Sequence, residues 1–284
     1  MNFLRNLVVL MLLLGAAALF GLPLLFSGLG LHPHYAGSAE AMAGGRALII
    51  TTSHGELGTG GARTGVFASE MTAPYYAFSD GGLTVDVASI KGGAIPIDPV
   101  SFVWFIEAPS DKRYHADVAF RDKVEHSARI DQIDFTAYDI IYLAGGWGAA
   151  YDLGFSDVLG KKISDAWKAG RVVGGICHGP LGLLKALDEN GNPLVRGRHL
   201  TAVTNKQVTE LGIGITPQHP ERELRAAGAL FEGETAFRDI FANHVVEDGR
   251  LVTGQNQNAG TEVAMRMIKL ARTIRNSETG AIPR

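Results

Sequence analysis

The sequence predicts an α/β chain: a mainly parallel sheet covered by helices on both faces, preceded by an apolar helix long enough to cross a membrane. Three observations lead there. Short runs of consecutive apolar residues alternate with amphipathic stretches, the pattern of strands buried on both faces and joined by helices. The 284 residues are 46% hydrophobic and 19% charged, enough to bury a sizeable core in one large domain or two small ones. From Leu7 to Leu31 no charged side chain occurs, whereas about 20 apolar residues at about 1.5 Å each already span a roughly 30 Å hydrocarbon layer.

The apolar segment, residues 1–31, is the first element. A core helix of this length would show a polar face. The apolar region of a cleaved signal peptide is usually only about 7–15 residues, so the length favours a retained anchor. Ala39-Glu40-Ala41 and Ala41-Met42-Ala43 nevertheless offer small-residue cleavage sites. Pro23 is placed to kink the segment. Arg5 precedes it and the next Lys or Arg is Arg46. The positive-inside bias then puts the amino terminus in the cytoplasm and the domain on the outer, periplasmic or extracytoplasmic side, as a single-pass membrane protein. Residues 32–46 read as a flexible tether, with His32 and His34 as tether residues.

The domain follows over residues 47–275. Strands are expected at Ala47–Thr52, Leu83–Ser89, Tyr138–Ala144, Arg171–Ile176 and Leu251–Thr253. Helical periodicity runs through Thr64–Ser79, Ser156–Ala169, Pro180–Leu187 and Thr261–Arg275. The stretch Lys91–Asp134 is longer and more polar than one connection needs, and reads as an insertion beside the sheet's edge. Residues 276–284 read as a frayed tail. No internal repeat occurs. A formal net charge of −3 gives no general reason to expect nucleic-acid binding. The single cysteine, Cys177, excludes an intrachain disulfide and a Cys-based zinc site.

In a parallel sheet ligands gather at the carboxyl ends of the strands, which directs attention to Ser53–Arg63, Gly145–Leu153, Cys177–Pro180 and Gly254–Gly260. The first loop begins a G-x-G-x-x-G match at Gly58 and Gly60, but Arg63 stands at the last glycine position, so it reads as a plain flexible loop. The stretch Gly174-Gly175-Ile176-Cys177-His178-Gly179-Pro180 carries more information. A strand runs into Cys177, and Gly179-Pro180 opens a helix whose amino terminus favours a thiolate. This is the thiol counterpart of the serine elbow. The plain alternative is a buried structural cysteine. Glu70, on the first helix among Val66, Phe67 and Tyr75, is either a surface residue or a packed carboxyl that holds a proton near the thiol.

Five stretches then occur in an order that resembles the PfpI (ThiJ-like) superfamily, also called class I glutamine amidotransferase-like: TGVFASEMTAPYYAF, VDVASIKGGAIPIDP, AGGWGAAYDL, VVGGICHGP and DGRLVTGQNQNAG. The branch it looks most like is the heat-shock-chaperone type that acts as glutathione-independent glyoxalase III. The resemblance implies a flavodoxin-like sandwich, with Cys177 as nucleophile, His178 after it, and Glu70 contacting the thiol. It implies attack on the aldehyde of methylglyoxal, a hemithioacetal, and proton transfer through an enediol to lactate, a lyase-type reaction without cofactor or metal. Backbone N–H groups near Gly146 and His178 would hold the developing oxyanion, with Trp147 and Gly148 in the same loop. Relatives are often homodimers. Two positions depart from the pattern: Trp147 stands where many relatives have His, and Val208 stands at the acid that orients the histidine, with Glu210 two residues away. A stress-protective holdase that receives unfolded clients at the membrane, or a catalytically weakened member, is therefore the alternative. Cysteine peptidase or amidase chemistry by the same thiol is a third.

Overall fold

The computed structural model describes residues 2–279. Among these residues are nine strands: β1 Arg46–Thr51, β2 Thr84–Ser89, β3 Ala128–Arg129, β4 Ile140–Leu143, β5 Val172–Ile176, β6 His199–Leu200, β7 Leu230–Phe231, β8 Val245–Asp248 and β9 Leu251–Gly254. Seven form one sheet in the order β3-β2-β1-β4-β5-β9-β8, and β6 and β7 form a separate pair. Within the large sheet only β8 and β9 are antiparallel. The α-helices are α1 Asn2–Gly28, α2 Ala68–Asp80, α3 Pro109–Ala116, α4 Val118–Glu125, α5 Ala149–Asp152, α6 Asp157–Lys168, α7 Asn205–Glu210, α8 Pro220–Ala226 and α9 Gly260–Thr279.

The residues of β1 explain the layering. Alternate side chains of a strand point to opposite faces, so Ala47 and Ile49 enter one apolar core while Leu48 and Ile50 enter the other. The first core is closed by Met71, Tyr75 and Phe78 of α2 and by Val263, Met267 and Ile268 of α9. The second is closed by Leu159, Ile163 and Trp167 of α6. The expected α/β architecture with helices on both faces is present, and the insertion Lys91–Asp134 supplies α3, α4 and the edge strand β3.

Several boundaries and one segment differ from expectation. The helix expected over Pro180–Leu187 is instead a short 3-10 turn, Gly179–Leu183, after which the chain pairs Leu187 with Pro193. Gly179 and Gly182 lower the helical propensity there. At the other end α9 continues through Asn276 to Thr279, and the rest of the expected tail lies outside the described residues.

Residues 32–45 are not a loose tether but a strap laid along α2 and α9. Met42 is buried and its N–H donates to the Gly81 carbonyl. Glu40 pairs with Arg272 at 2.6 Å, and the Arg272 guanidinium donates to the Ala41 carbonyl. His32 donates its N–H to Asn258 Oδ1, and its ring Nε2 lies 2.6 Å from the Ile106 carbonyl. The small residues that make this segment read as a linker also let its backbone lie flat against the helices.

Candidate active site

Cys177 begins where β5 ends. Its backbone has φ 58°, a left-handed conformation that costs a residue with a Cβ of the order of 1–3 kcal/mol. Two backbone bonds hold that turn: Cys177 N–H donates to the Gly254 carbonyl, and Val203 N–H donates to the Cys177 carbonyl. The turn also needs a glycine two residues on, since a Cβ on Gly179 would lie 2.1 Å from the Leu143 carbonyl oxygen. The thiol is buried, and Sγ lies 3.3 Å from His178 Nδ1.

Glu70 sits in the first turn of α2, whose interior contains Pro74. A proline has no N–H, so the Glu70 carbonyl, four residues earlier, loses its helical partner. The phenol of the fully buried Tyr142 on β4 donates to that carbonyl at 3.1 Å. Strand and helix are thereby joined at the residue whose side chain reaches the thiol. Tyr142→Phe is expected to leave this buried carbonyl unpaired and to lower the unfolding free energy by about 1–3 kcal/mol in denaturant titration.

The Glu70 carboxyl faces the Cys177 thiol and the backbone N–H groups of Gly145 and Gly146. Space for it exists because position 145 has no side chain: a Cβ there would be 2.4 Å from Glu70 Oε2. Burial raises the Glu70 pKa to about 8, against the lowering pull of the thiol and the two N–H groups. At neutral pH this carboxyl holds its proton. Burial also pushes the Cys177 thiol well above its ordinary value, with the Glu70 charge adding to the rise and the Gly146 and His178 N–H groups opposing it. The thiolate expected from a helix amino terminus is therefore not the resting form. One short 3-10 turn carries too little dipole to offset burial.

His178 is fully buried, and burial followed by the nearby His219 lowers its pKa to about 3. Its ring is neutral. With the thiol donating to Nδ1, Nε2 carries the ring proton, and Nε2 has no hydrogen-bond partner among the described residues. Val208, on α7, lies in the same apolar core as Cys177. Glu210 does not replace the acid, because its Oε2 accepts from the Asp239 N–H at 2.8 Å and its carboxylate faces Lys206.

The loop after β4 brings Gly146 against the thiol. Trp147 packs half-buried on the core that contains Cys177, and Gly148 N–H donates to the Gly65 carbonyl. The structure thus brings Cys177, His178, Glu70 and Gly146 together, with Trp147 and Gly148 beside them. A cavity of about 560 Å³ is lined by Val208, Ile215 and His219 among others, and neither Cys177, His178 nor Glu70 is part of its lining. Among the described residues no group of three or more His, Cys, Asp or Glu is arranged to hold a metal ion. Sequence reasoning passed over Tyr142 and His219. The four-residue spacing of Glu70 and Pro74 was a legible signal that a partner for the Glu70 carbonyl was needed, whereas nothing local marks His219.

The arrangement supports addition of the thiol to an electrophilic carbon. Cys177 Sγ lies 3.3 Å from His178 Nδ1, the Glu70 carboxyl beside it is raised to a pKa of about 8, and the Gly146 and His178 N–H groups oppose the rise of the thiol. Residues 62–270 match the model of the DJ-1/PfpI family. The chain is 27% identical over 244 residues to the glutathione-independent glyoxalase hsp3101 of Schizosaccharomyces pombe, covering 82% of this chain and 98% of that one. It is 28% identical over 228 residues to glyoxalase 3 of Candida albicans, covering 77% and 95%. Among solved structures, the Rapid Encystment Protein of 24 kDa from Francisella tularensis superposes with a TM-score of 0.74 at 29% identity, covering 80% and 99%. Glyoxalase III of Candida albicans superposes with a TM-score of 0.71 at 26% identity, covering 80% and 97%.

Proposed function

This chain belongs to the DJ-1/PfpI family, and from that premise we propose that it is a cysteine-dependent, glutathione-independent glyoxalase acting on small dicarbonyl compounds such as methylglyoxal. The observation that carries this reading is the buried cluster of a thiol, a neutral imidazole 3.3 Å away and a carboxyl that keeps its proton to about pH 8. The names of the relatives, glutathione-independent glyoxalases, support the same substrate class.

The chemistry balances as the addition of one water to methylglyoxal. The Cys177 sulfur adds to the aldehyde carbon while its proton passes to His178 Nδ1, and Glu70 donates to the developing alkoxide. The product is a hemithioacetal. Glu70, left as a carboxylate by that donation, takes the proton from that carbon and returns it to the neighbouring carbonyl carbon through an enediol while the hydroxyl proton moves to the neighbouring oxygen, which turns the hemithioacetal into a lactoyl thioester. Water then cleaves the thioester to lactate and frees the thiol. The N–H groups of Gly146 and His178 hold negative charge on oxygen during addition and cleavage. Neutral dicarbonyls suit a site where burial disfavours every charged form. Amide cleavage is less well served, because expelling an amine needs an effective general acid and His178 has no carboxylate partner among the described residues.

Because Cys177 is the chain's single cysteine, its occupancy can be read directly. Methylglyoxal, without glutathione, is expected to slow alkylation of Cys177 by iodoacetamide at least several-fold in peptide mass mapping. Equal alkylation with and without methylglyoxal contradicts addition at this sulfur.

We also read α1 as a retained anchor that places the domain on the outer side of a membrane. The most apolar 18-residue window of Phe3–Gly28 has a mean hydropathy of 2.6, and no part of it is buried against the domain.

A further inference from the structure

The junction between α1 and the domain is a packed contact. Near the carboxyl end of α1, the Phe26 ring lies 5.4 Å from Phe105 and 5.8 Å from Phe241, centroid to centroid. Leu31 is buried just beyond, and His32 is bonded to Asn258 and Ile106. The helix therefore leaves the domain at a fixed place, with little slack in the chain.

Around that place the surface is unusually apolar. Phe102, Val103, Trp104, Phe105 and Ile106 are consecutive in the insertion after β2, and none of the five is buried. A run of that kind is out of place on a surface facing only water. Trp104 is 42% exposed and stacks edge-on against Phe105 at 5.3 Å, so it sits one ring away from α1. Val100, at the start of the same loop, is also 42% exposed. Phe237 is 89% exposed in the loop that leads to Phe241, four residues before it, and the exposed Arg238 follows. Tryptophan and phenylalanine beside an arginine, in the two segments that pack on the end of an apolar helix, are side chains that settle at the level of lipid headgroups.

We propose that the loop Phe102–Ile106 together with Phe237 forms a lipid-facing footprint that seats the domain on the bilayer surface around the exit of α1. The occupant is the boundary between phospholipid headgroups and acyl chains. The inference rests on the anchor reading of α1 and goes beyond it: an anchor alone leaves the domain free to tumble, whereas a footprint fixes which face meets the membrane. Two independent segments of the chain, the insertion through Phe105 and the β7–β8 connection through Phe241, meet at the same helix end, and Trp104 and Phe237 are their exposed rings.

The test uses the full chain in phosphatidylcholine nanodiscs whose acyl chains are brominated near the headgroup. Emission of the parent is compared with that of Trp104→Phe, a change confined to an exposed ring, so that the difference reports Trp104. That component is expected to fall at least twofold in brominated lipid. A separate Leu12→Trp variant in lipid brominated deeper in the chain reports whether α1 spans. Quenching at both positions supports the footprint. Quenching at position 12 with an unchanged Trp104 component overturns the footprint and leaves the anchor standing. Quenching at neither position overturns both. A Trp104 component that changes only when an unfolded protein is added overturns the footprint in favour of a client-binding surface.

Discussion

Cys177→Ala is expected to bring glutathione-independent formation of lactate from methylglyoxal down to the level of buffer. The size of the effect follows from the residue inventory. No second cysteine exists to take over, and no neighbouring side chain in the site is a competent nucleophile: Glu70 keeps its proton at neutral pH and His178 is held buried and neutral. The variant removes only a small sulfur from a tight turn. It should fold, and alanine in place of the thiol relieves the burial of an ionisable group. A variant with parental thermal stability and no turnover separates chemistry from folding. Turnover that survives the substitution places the nucleophile elsewhere.

Glu70→Gln is expected to lower turnover by about 10²–10⁴, the usual contribution of a positioned proton donor, while making the folded chain more tolerant of alkaline pH. The signs follow from the shifts. Burial raises the folded Glu70 to about 8 from an ordinary 4.5. The folded state thus binds a proton that the unfolded state has lost between those values, and parental stability declines as pH rises through that window. Glutamine has nearly the same shape and no proton to lose, so the decline should be absent in the variant. His178 acts in the opposite sense: burial lowers it to about 3 from 6.5. Over that range the unfolded state holds the proton, and stability declines as pH falls. Chemical denaturation of parent and variant from pH 5 to 9 reads both effects. A variant that loses activity and also loses stability at pH 8 indicates a structural role for the carboxylate instead.

The parts of this molecule that were legible in the sequence are those fixed by local composition. ALIIT and IIYL announce strands buried on both faces, and GGICHGP announces a strand delivering a thiol into a tight turn. The burial of Glu70 beside the thiol was legible chiefly through the family resemblance, since a glutamate in the first turn of a helix is ordinarily solvated. Its geometry depends on Gly145, which leaves room for the carboxyl, and on Tyr142, which takes the carbonyl that Pro74 abandons. Those are contacts between segments some seventy residues apart, and no periodicity encodes them. The strap at residues 32–45 was misread for a related reason, because its small residues suit a flexible linker and a flat-lying segment equally well. The β8–β9 hairpin was missed although its turn carries a local mark: Gly249, at φ 62°, opens a two-residue connection between Asp248 and Leu251.

The site has two halves of different character. The thiol and carboxyl are packed, mutually facing and supported from two strands and a helix. The imidazole has no hydrogen-bond partner at Nε2 among the described residues. Addition of sulfur to an aldehyde, a far easier electrophile than an amide, makes the smaller demand on so weakly basic an imidazole. This is the physical reason for preferring a dicarbonyl substrate to a peptide.

The most direct measurement is lactate released from methylglyoxal by the purified full-length chain in buffer free of glutathione, followed again after glutathione is added. The account predicts lactate in step with the methylglyoxal consumed, at a rate that added glutathione does not raise. A folded chain that releases no lactate, or releases it only when glutathione is present, contradicts the assignment.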